Sequence, residues 1–330
     1  MSVASRVTGV PMKRSLLASL FAPVCFCAAA LGQTGEAFMV VEAHSGKVLM
    51  ASNSVVTRPV ASLTKIATGV IAVDWADATG VNLNETFATV PAAALSIGGP
   101  NPLGLQPGDR MTLRDALYSA LLGSDNLAAM TVADHVGREI LRARGRSGDG
   151  VSAFVAEMNE LGKAIRLTGT RFANPHGLEL PRRTGRSTAA DVARLSIYAM
   201  RKPGFTFIVR QKDRQVTVHG ADGQREFRVK NTNELVGEPM VLGVKTGTTA
   251  AAGPCLSVAV DREPLVREKP NGDKAVTPRR LVVVVLNSPD RFNRARGLIS
   301  QGWAAYDRWV AGGAMIGNRN REILDVPNPR

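Results

Sequence analysis

Two short apolar runs, residues 37–42 and 47–51, are joined by Ala43-His44-Ser45-Gly46 and predict a β-hairpin. Pro59 then precedes Leu63, Ile66, Ala67, Val70, Ile71 and Val73, an apolar run at helical spacing that predicts a buried helix opening at Ser62. Residues 81–109 are rich in Gly, Pro and Asn, loosest over 96–102, and read as loop along the rim of a cleft. Residues 112–122, 127–141 and 151–161 read as helices, with 142–150 a basic, Gly-containing linker between the last two. A turn-rich loop follows at 172–178, and Ser187-Thr188-Ala189-Ala190-Asp191 caps a helix running to Met200. Beyond Pro203 the pattern becomes that of strands, at 206–209, 215–219, 225–229, 241–245, 256–260 and 281–286. The charged, Pro-containing residues 261–280 read as a long exposed hairpin loop. A final amphipathic helix over 294–310 carries Leu298, Ile299, Trp303, Tyr306 and Val310 on its apolar face. There is no internal repeat.

Composition narrows the class of protein. A chain of 330 residues with 45% hydrophobic content can bury a sizeable core, as one large or two modest domains. The N-terminus has its own character: Arg6, Lys13 and Arg14 precede an apolar segment over 16–30, with small residues Ala28, Ala30 and Gly32 suited to cleavage. This predicts a secretory signal peptide over residues 1–32, read from Met1 or from Met12, with an uncleaved anchor as the alternative, and a periplasmic or secreted protein. Cys25 and Cys27 lie in the leader, so Cys255 has no disulfide partner in the mature chain and reads as a small buried hydrophobe. The net charge is +13, but Lys and Arg are scattered and no aromatic-interleaved basic patch appears, which argues against nucleic acid. Anionic wall and membrane polymers suit an exported basic protein better. His44, His135, His176 and His219 are isolated and lack metal-ligand spacing, so no metal and no cofactor is expected.

The candidate chemistry starts at Val60-Ala61-Ser62-Leu63-Thr64-Lys65. Positions i and i+3 share a helix face, so Lys65 is placed to take the proton of Ser62. A Ser-x-x-Lys pattern alone is cheap, since an N-capping serine with a solvated lysine looks the same. Ser124-Asp125-Asn126 and Lys245-Thr246-Gly247 follow in order, and together the three form the set found in penicillin-binding proteins and serine β-lactamases. Ser124 then offers a proton relay, Asn126 an amide to hold Lys65 or a substrate carbonyl, and Lys245 a second cation that lowers the pKa of Lys65. Asp125 is expected to point away. The Lys245 strand is suited to pair with an extended peptide, Gly247 allows close approach, and the N–H groups of Ser62 and Thr248 suit an oxyanion hole.

Beyond these motifs the chain carries Arg58-Pro59-Val60, Phe172-Ala173-Asn174-Pro175-His176-Gly177-Leu178, Asn231-Thr232-Asn233 and Lys245-Thr246-Gly247-Thr248-Thr249-Ala250-Ala251-Ala252-Gly253. With them it resembles the D-alanyl-D-alanine carboxypeptidases, the low-molecular-mass penicillin-binding proteins of serine peptidase family S11, from about residue 37 to 306. The resemblance implies an α+β fold of the penicillin-binding protein and serine β-lactamase type: an antiparallel sheet flanked by helices, with a helical subdomain inserted at about 80–200. It implies a catalytic domain over 33–312 and a tail over 313–330. It also implies acylation of Ser62 by the penultimate D-Ala of a peptidoglycan stem peptide, release of the terminal D-Ala, hydrolysis by water, and covalent inhibition by β-lactams. Thr246, Thr248 and an arginine before the last helix would hold the substrate carboxylate, with Arg291 fitting best and Arg294 competing.

Some positions depart from the family pattern. Asp125 stands where many relatives carry Gly or Ala, Pro254 replaces a common aromatic, and 261–280 is long. The C-terminal β-domain and amphipathic anchor of many relatives are missing, so no stable membrane anchor is expected. A β-lactamase is the runner-up enzyme, disfavoured because no Glu-x-x-Leu-Asn loop follows the middle motif. A D,D-endopeptidase and a non-catalytic wall-binding protein on the same fold also compete, the latter disfavoured because every reactive position is filled.

Overall fold

The computed structural model describes residues 35–179 and 184–329; the leader expected over 1–32 lies outside the described residues. Strands β1 (Ala37–Glu42) and β2 (Val48–Ser52) form the expected hairpin. They join a five-stranded antiparallel sheet in the order β2-β1-β9-β8-β7, with β7 Val241–Thr249, β8 Gly253–Glu268 and β9 Lys274–Leu286. Every residue of the run Leu281–Leu286 is buried, because both faces of the sheet are covered. Leu281, Val283 and Val285 face helix α7 (Arg291–Ala311) with Leu298, Trp303 and Tyr306, whereas Val282, Val284 and Leu286 join the larger core on the opposite face.

That larger core is built on α1 (Lys65–Thr79), whose Ile66, Ala67, Val70, Ala72 and Val73 are buried on all sides rather than along one stripe. Helices α2 (Leu113–Leu121), α3 (Asn126–Ala143), α4 (Gly150–Ala164) and α5 (Ala189–Met200) surround it. Caps mark their starts: Thr112 accepts from Asp115 N–H, Asp125 from Leu127 and Ala128, Asp149 from Ser152, and Thr188 from Asp191. A second antiparallel sheet runs β3-β4-β5-β6, of Phe87–Thr89, Arg110–Thr112, Asp213–Gly220 and Gly223–Lys230. Past α7 the chain folds back over the β1–β2 hairpin, with Leu324 N–H donating to Gly46 O at 2.7 Å and Leu324 buried. Among the described residues no helix is long and apolar enough to cross a membrane.

Three elements differ from the expectation. Residues 206–209 belong to helix α6 (Pro203–Val209), not to a strand: Pro203 occupies the first helical turn, and Phe205, Ile208 and Val209 are buried at i, i+3 and i+4. Residues 261–280 are mostly strand rather than loop. β8 and β9 continue past the sheet as a two-stranded arm, paired from Asp261↔Arg280 to Glu268↔Lys274, with an irregularity between Arg262 and Leu265 that accommodates Pro264. Within 81–109 the short strand β3 interrupts the predicted loop, because it pairs with β4, which adds to the edge of the β5–β6 hairpin.

Candidate active site

Ser62 does not open an α-helix. It lies in the 3₁₀ turn Ala61–Thr64 that runs directly into α1, and its side chain caps nothing. Ala61, just before it, has φ +48°, a left-handed conformation that an alanine adopts only under constraint. Part of that constraint is visible at Gly177, φ +85°, where a Cβ would sit 2.0 Å from Ala61 O. The 172–178 loop is therefore pressed against the serine turn, and glycine is what permits it. Asn174 knots the loop: its Oδ1 accepts from His176 N–H at 3.2 Å and Gly177 N–H at 2.6 Å, and its Nδ2 donates to Leu178 O at 2.8 Å. Thr68 Oγ1 on α1 donates to Pro175 O at 2.6 Å and pins the loop to the helix.

These contacts aim the carbonyl of His176 at Lys65. The fully buried Nζ lies 2.9 Å from Ser62 Oγ, 2.7 Å from Asn126 Oδ1 and 3.0 Å from His176 O. Asn126 Oδ1 and His176 O can only accept. A neutral amine with two N–H bonds satisfies both and turns its one lone pair to the Ser62 hydroxyl, the arrangement a general base requires. Burial lowers the Lys65 pKa to about 7, opposed by the attraction of Asp125. The lysine is thus neutral enough to act near neutral pH.

Asp125 points away from the cleft. It is buried, accepts from Ser119 Oγ at 3.1 Å, and caps α3. That cap fixes Asn126 as the first residue of α3, and Asn126 Nδ2 donates to Gly98 O at 2.8 Å, holding the 96–102 loop as one rim of the cleft. Ser124, with φ +63° in the tight turn between α2 and α3, lines the cleft beside Ser62.

The opposite wall is β7, an edge strand. A Cβ on Gly247 would lie 2.8 Å from Ser62 N, so only glycine lets the strand run against the serine turn. Lys245 is buried, with Nζ donating to Thr246 O at 3.1 Å; burial, then repulsion by Lys65 and Arg291, lowers its pKa well below the lysine range. Arg291, at the start of α7, donates through Nη1 to Thr248 Oγ1 at 2.8 Å and Gly247 O at 3.0 Å. Arg294 instead pairs with Glu36, which separates the two arginines that the sequence left in competition.

The cleft has a volume of about 190 Å³ and is lined by Ser62, Ser124, Asn126, Thr246, Gly247, Thr248 and Arg291. Lys65 and Lys245 sit behind this lining. Sequence reasoning did not single out Pro100, Leu178, Thr232 and Thr249 as site residues, although all four also line the cleft. Thr232 and Leu178 lie inside the Asn231–Asn233 and Phe172–Leu178 motifs, and that was the available signal. Among the described residues none of the lining side chains is acidic, which together with Arg291 suits a ligand carrying a carboxylate. His176 acts through its carbonyl; its ring nitrogen Nδ1 accepts from Leu178 N–H at 3.1 Å, and burial holds its pKa down at about 3. Cys255 is buried with its thiol pushed up to about 11 by burial, as an inert hydrophobe would be. Among the described residues no three His, Cys, Asp or Glu side chains gather as metal ligands do.

The chain is similar to known proteins. The profile of one serine peptidase family, D-alanyl-D-alanine carboxypeptidase, matches residues 26–265. The chain is 29% identical over 302 residues to D-alanyl-D-alanine carboxypeptidase DacC of Escherichia coli, covering 87% of this chain and 67% of that protein. It is 28% identical over 233 residues to DacF of Bacillus subtilis, covering 70% of this chain and 55% of DacF, so it spans little more than half to two thirds of these relatives. Among solved structures it is similar to the Streptomyces K15 DD-transpeptidase, with TM-score 0.67 and 25% identity over 81% of this chain and 96% of that one. A penicillin-binding protein homologue from Mycobacterium tuberculosis matches with TM-score 0.66 and 26% identity, covering 88% of this chain and 94% of that one.

Proposed function

Because the chain belongs to the D-alanyl-D-alanine carboxypeptidase family of serine peptidases, we propose that it removes the terminal D-Ala from peptidoglycan stem peptides through an acyl-enzyme on Ser62. The observation that carries this reading is the coordination of Lys65 Nζ by Ser62 Oγ, Asn126 Oδ1 and His176 O, which leaves a buried amine one lone pair and directs it at the serine. Lys65 takes the Ser62 proton as Oγ attacks the D-Ala–D-Ala carbonyl. The N–H groups of Ser62 and Thr248 hold the oxyanion, each donor contributing about 2.7–4 kcal/mol. Ser124, which lines the cleft beside Ser62, returns the proton to the leaving D-Ala nitrogen, with Lys245 behind the lining. Arg291, Thr246 and Thr248 hold the leaving group's carboxylate. The stem peptide lies extended along the free edge of β7. Water then hydrolyses the ester.

A β-lactam carries the same carboxylate beside a reactive amide, so it acylates Ser62 and remains there. The working division of the chain is a leader at 1–32, a catalytic domain at 33–312 and a tail at 313–330, with the enzyme acting in the periplasm or outside the cell. Relatives named D-alanyl-D-alanine endopeptidase, 28% identical in Pseudomonas aeruginosa and 27% in Escherichia coli, favour cleavage of cross-linked stems as a second reading.

Intact-mass measurement of wild type and Ser62→Ala with penicillin, beside D-Ala release from a stem-peptide mimic, tests the proposal. A long-lived adduct on wild type alone, with D-Ala released, is expected. Rapid penicillin loss without adduct would instead mark a β-lactamase, and neither adduct nor turnover a binding protein. Cross-linked muropeptide dimers cleaved faster than the mimic would select the endopeptidase.

A further inference from the structure

Thr232 follows β6 and stands between the two walls of the cleft. Its N–H donates to Leu122 O at 3.0 Å, two residues before Ser124, and its Oγ1 donates to the same carbonyl at 3.0 Å. The same Oγ1 lies 2.6 Å from Thr246 Oγ1. A hydroxyl has one proton, and a carbonyl only accepts. With the Thr232 proton on Leu122 O, the bond between the two threonines must be donated by Thr246. In that arrangement the buried Thr246 hydroxyl turns lone pairs, not a proton, to the cleft.

A carboxylate needs donors. We infer that Thr232 is a positioning residue that switches Thr246 from acceptor to donor when an anionic ligand enters. The Thr246 proton turns to the ligand, and the Thr232 proton turns from Leu122 O to Thr246 Oγ1. Leu122 O is not orphaned, because it keeps the Thr232 N–H. No other bond has to move, and Thr246 becomes a stronger donor because it accepts from Thr232 as it donates. Thr232 thereby makes the subsite selective for a negatively charged leaving group.

The inference rests on the carboxylate reading of this subsite, and its test separates the two. Two acyl-D-alanyl thiolesters serve as probes, one ending in thioglycolate with a free carboxylate and the other in its methyl ester, with thiol release followed for wild type, Thr232→Val and Thr232→Ser. Wild type is expected to prefer the acid. Thr232→Val should lose about tenfold in kcat/KM on the acid, mainly through KM, and stay within about twofold on the ester, since one hydrogen bond to a charged group is weakened. Thr232→Ser should restore the preference. A wild type indifferent to the carboxylate would overturn the subsite reading and the inference with it. A wild type that prefers the acid, joined with equal losses of Thr232→Val on both probes or with no recovery in Thr232→Ser, would overturn the inference alone and leave Thr232 a structural tie between the walls.

Discussion

Acylation of Ser62 should follow the deprotonation of Lys65, and pH is the simplest perturbation of it. Burial takes the lysine from 10.5 to about 7. At 1.36 kcal/mol per pH unit that is a differential interaction of about 5 kcal/mol between the two protonation states. At pH 7 roughly half the molecules would carry a neutral Lys65, against about 0.03% for an ordinary lysine, so the usable base increases by about three orders of magnitude. The second-order rate of acylation by a fluorescent penicillin, measured from pH 5 to 9 with Ser62→Ala as blank, should rise tenfold per unit below pH 6 and level off near pH 7. A rate still climbing tenfold per unit at pH 9 would refute the argument. The same burial costs stability. The folded pKa lies below the unfolded one, so between about pH 7 and 10.5 the unfolded chain binds more protons and the contribution of Lys65 to stability improves as pH rises. Below pH 7 the full penalty of about 5 kcal/mol applies, so Lys65→Met should be inactive yet melt several degrees above wild type at pH 6.

Other perturbations reach the site through its supports. Lys245→Met removes a second buried amine that is costly to keep protonated, which should raise the melting temperature while lowering acylation by about a hundredfold, and a variant of unchanged activity would deny Lys245 a part in the reaction. Gly247→Ala drives a methyl group to 2.8 Å from Ser62 N; β7 must move, and acylation should fall by about a hundredfold with little change in melting temperature, both readable by stopped flow and calorimetry. Asn174→Ala unties the loop that presents His176 O to Lys65, at about 2 kcal/mol of stability by denaturant titration, and should move the acylation pH limb. Asp125→Asn keeps the cap of α3 but removes a negative charge near Lys65, so the acylation limb should shift to lower pH; a shift upward would contradict the electrostatics of the site.

The order and type of most elements could be read from the chain because they follow from local pattern. The helices of the middle block start at Thr112, Asp125 and Thr188 caps, and the run 281–286 reads as a doubly buried strand from its unbroken aliphatic character. Pattern failed where local signals compete. Phe205, Ile208 and Val209 fit a strand by composition and a helix by spacing, and the packing of α6 against β7 favoured the helix. Charge and proline made 261–280 look like loop, yet cross-strand pairing extends β8 and β9 through it.

For the site, Ser62, Lys65, Ser124, Asn126 and Lys245 were identifiable by residue type and order, since a serine and a lysine three positions apart share a face whether the turn is 3₁₀ or α. The sequence alone therefore determined which groups are present and which of them are near neighbours in the chain. It did not determine their protonation or their partners. The pKa of Lys65 depends on burial by elements more than a hundred residues away, the third ligand of its amine is a backbone carbonyl that carries no side-chain signal, and the choice between Arg291 and Arg294 turned on where β7 passes. Thr232 meets Thr246 only because the turn after β6 closes on β7. Desolvation and hydrogen-bond geometry arise from groups that only folding brings together, and those quantities were decided by the tertiary structure.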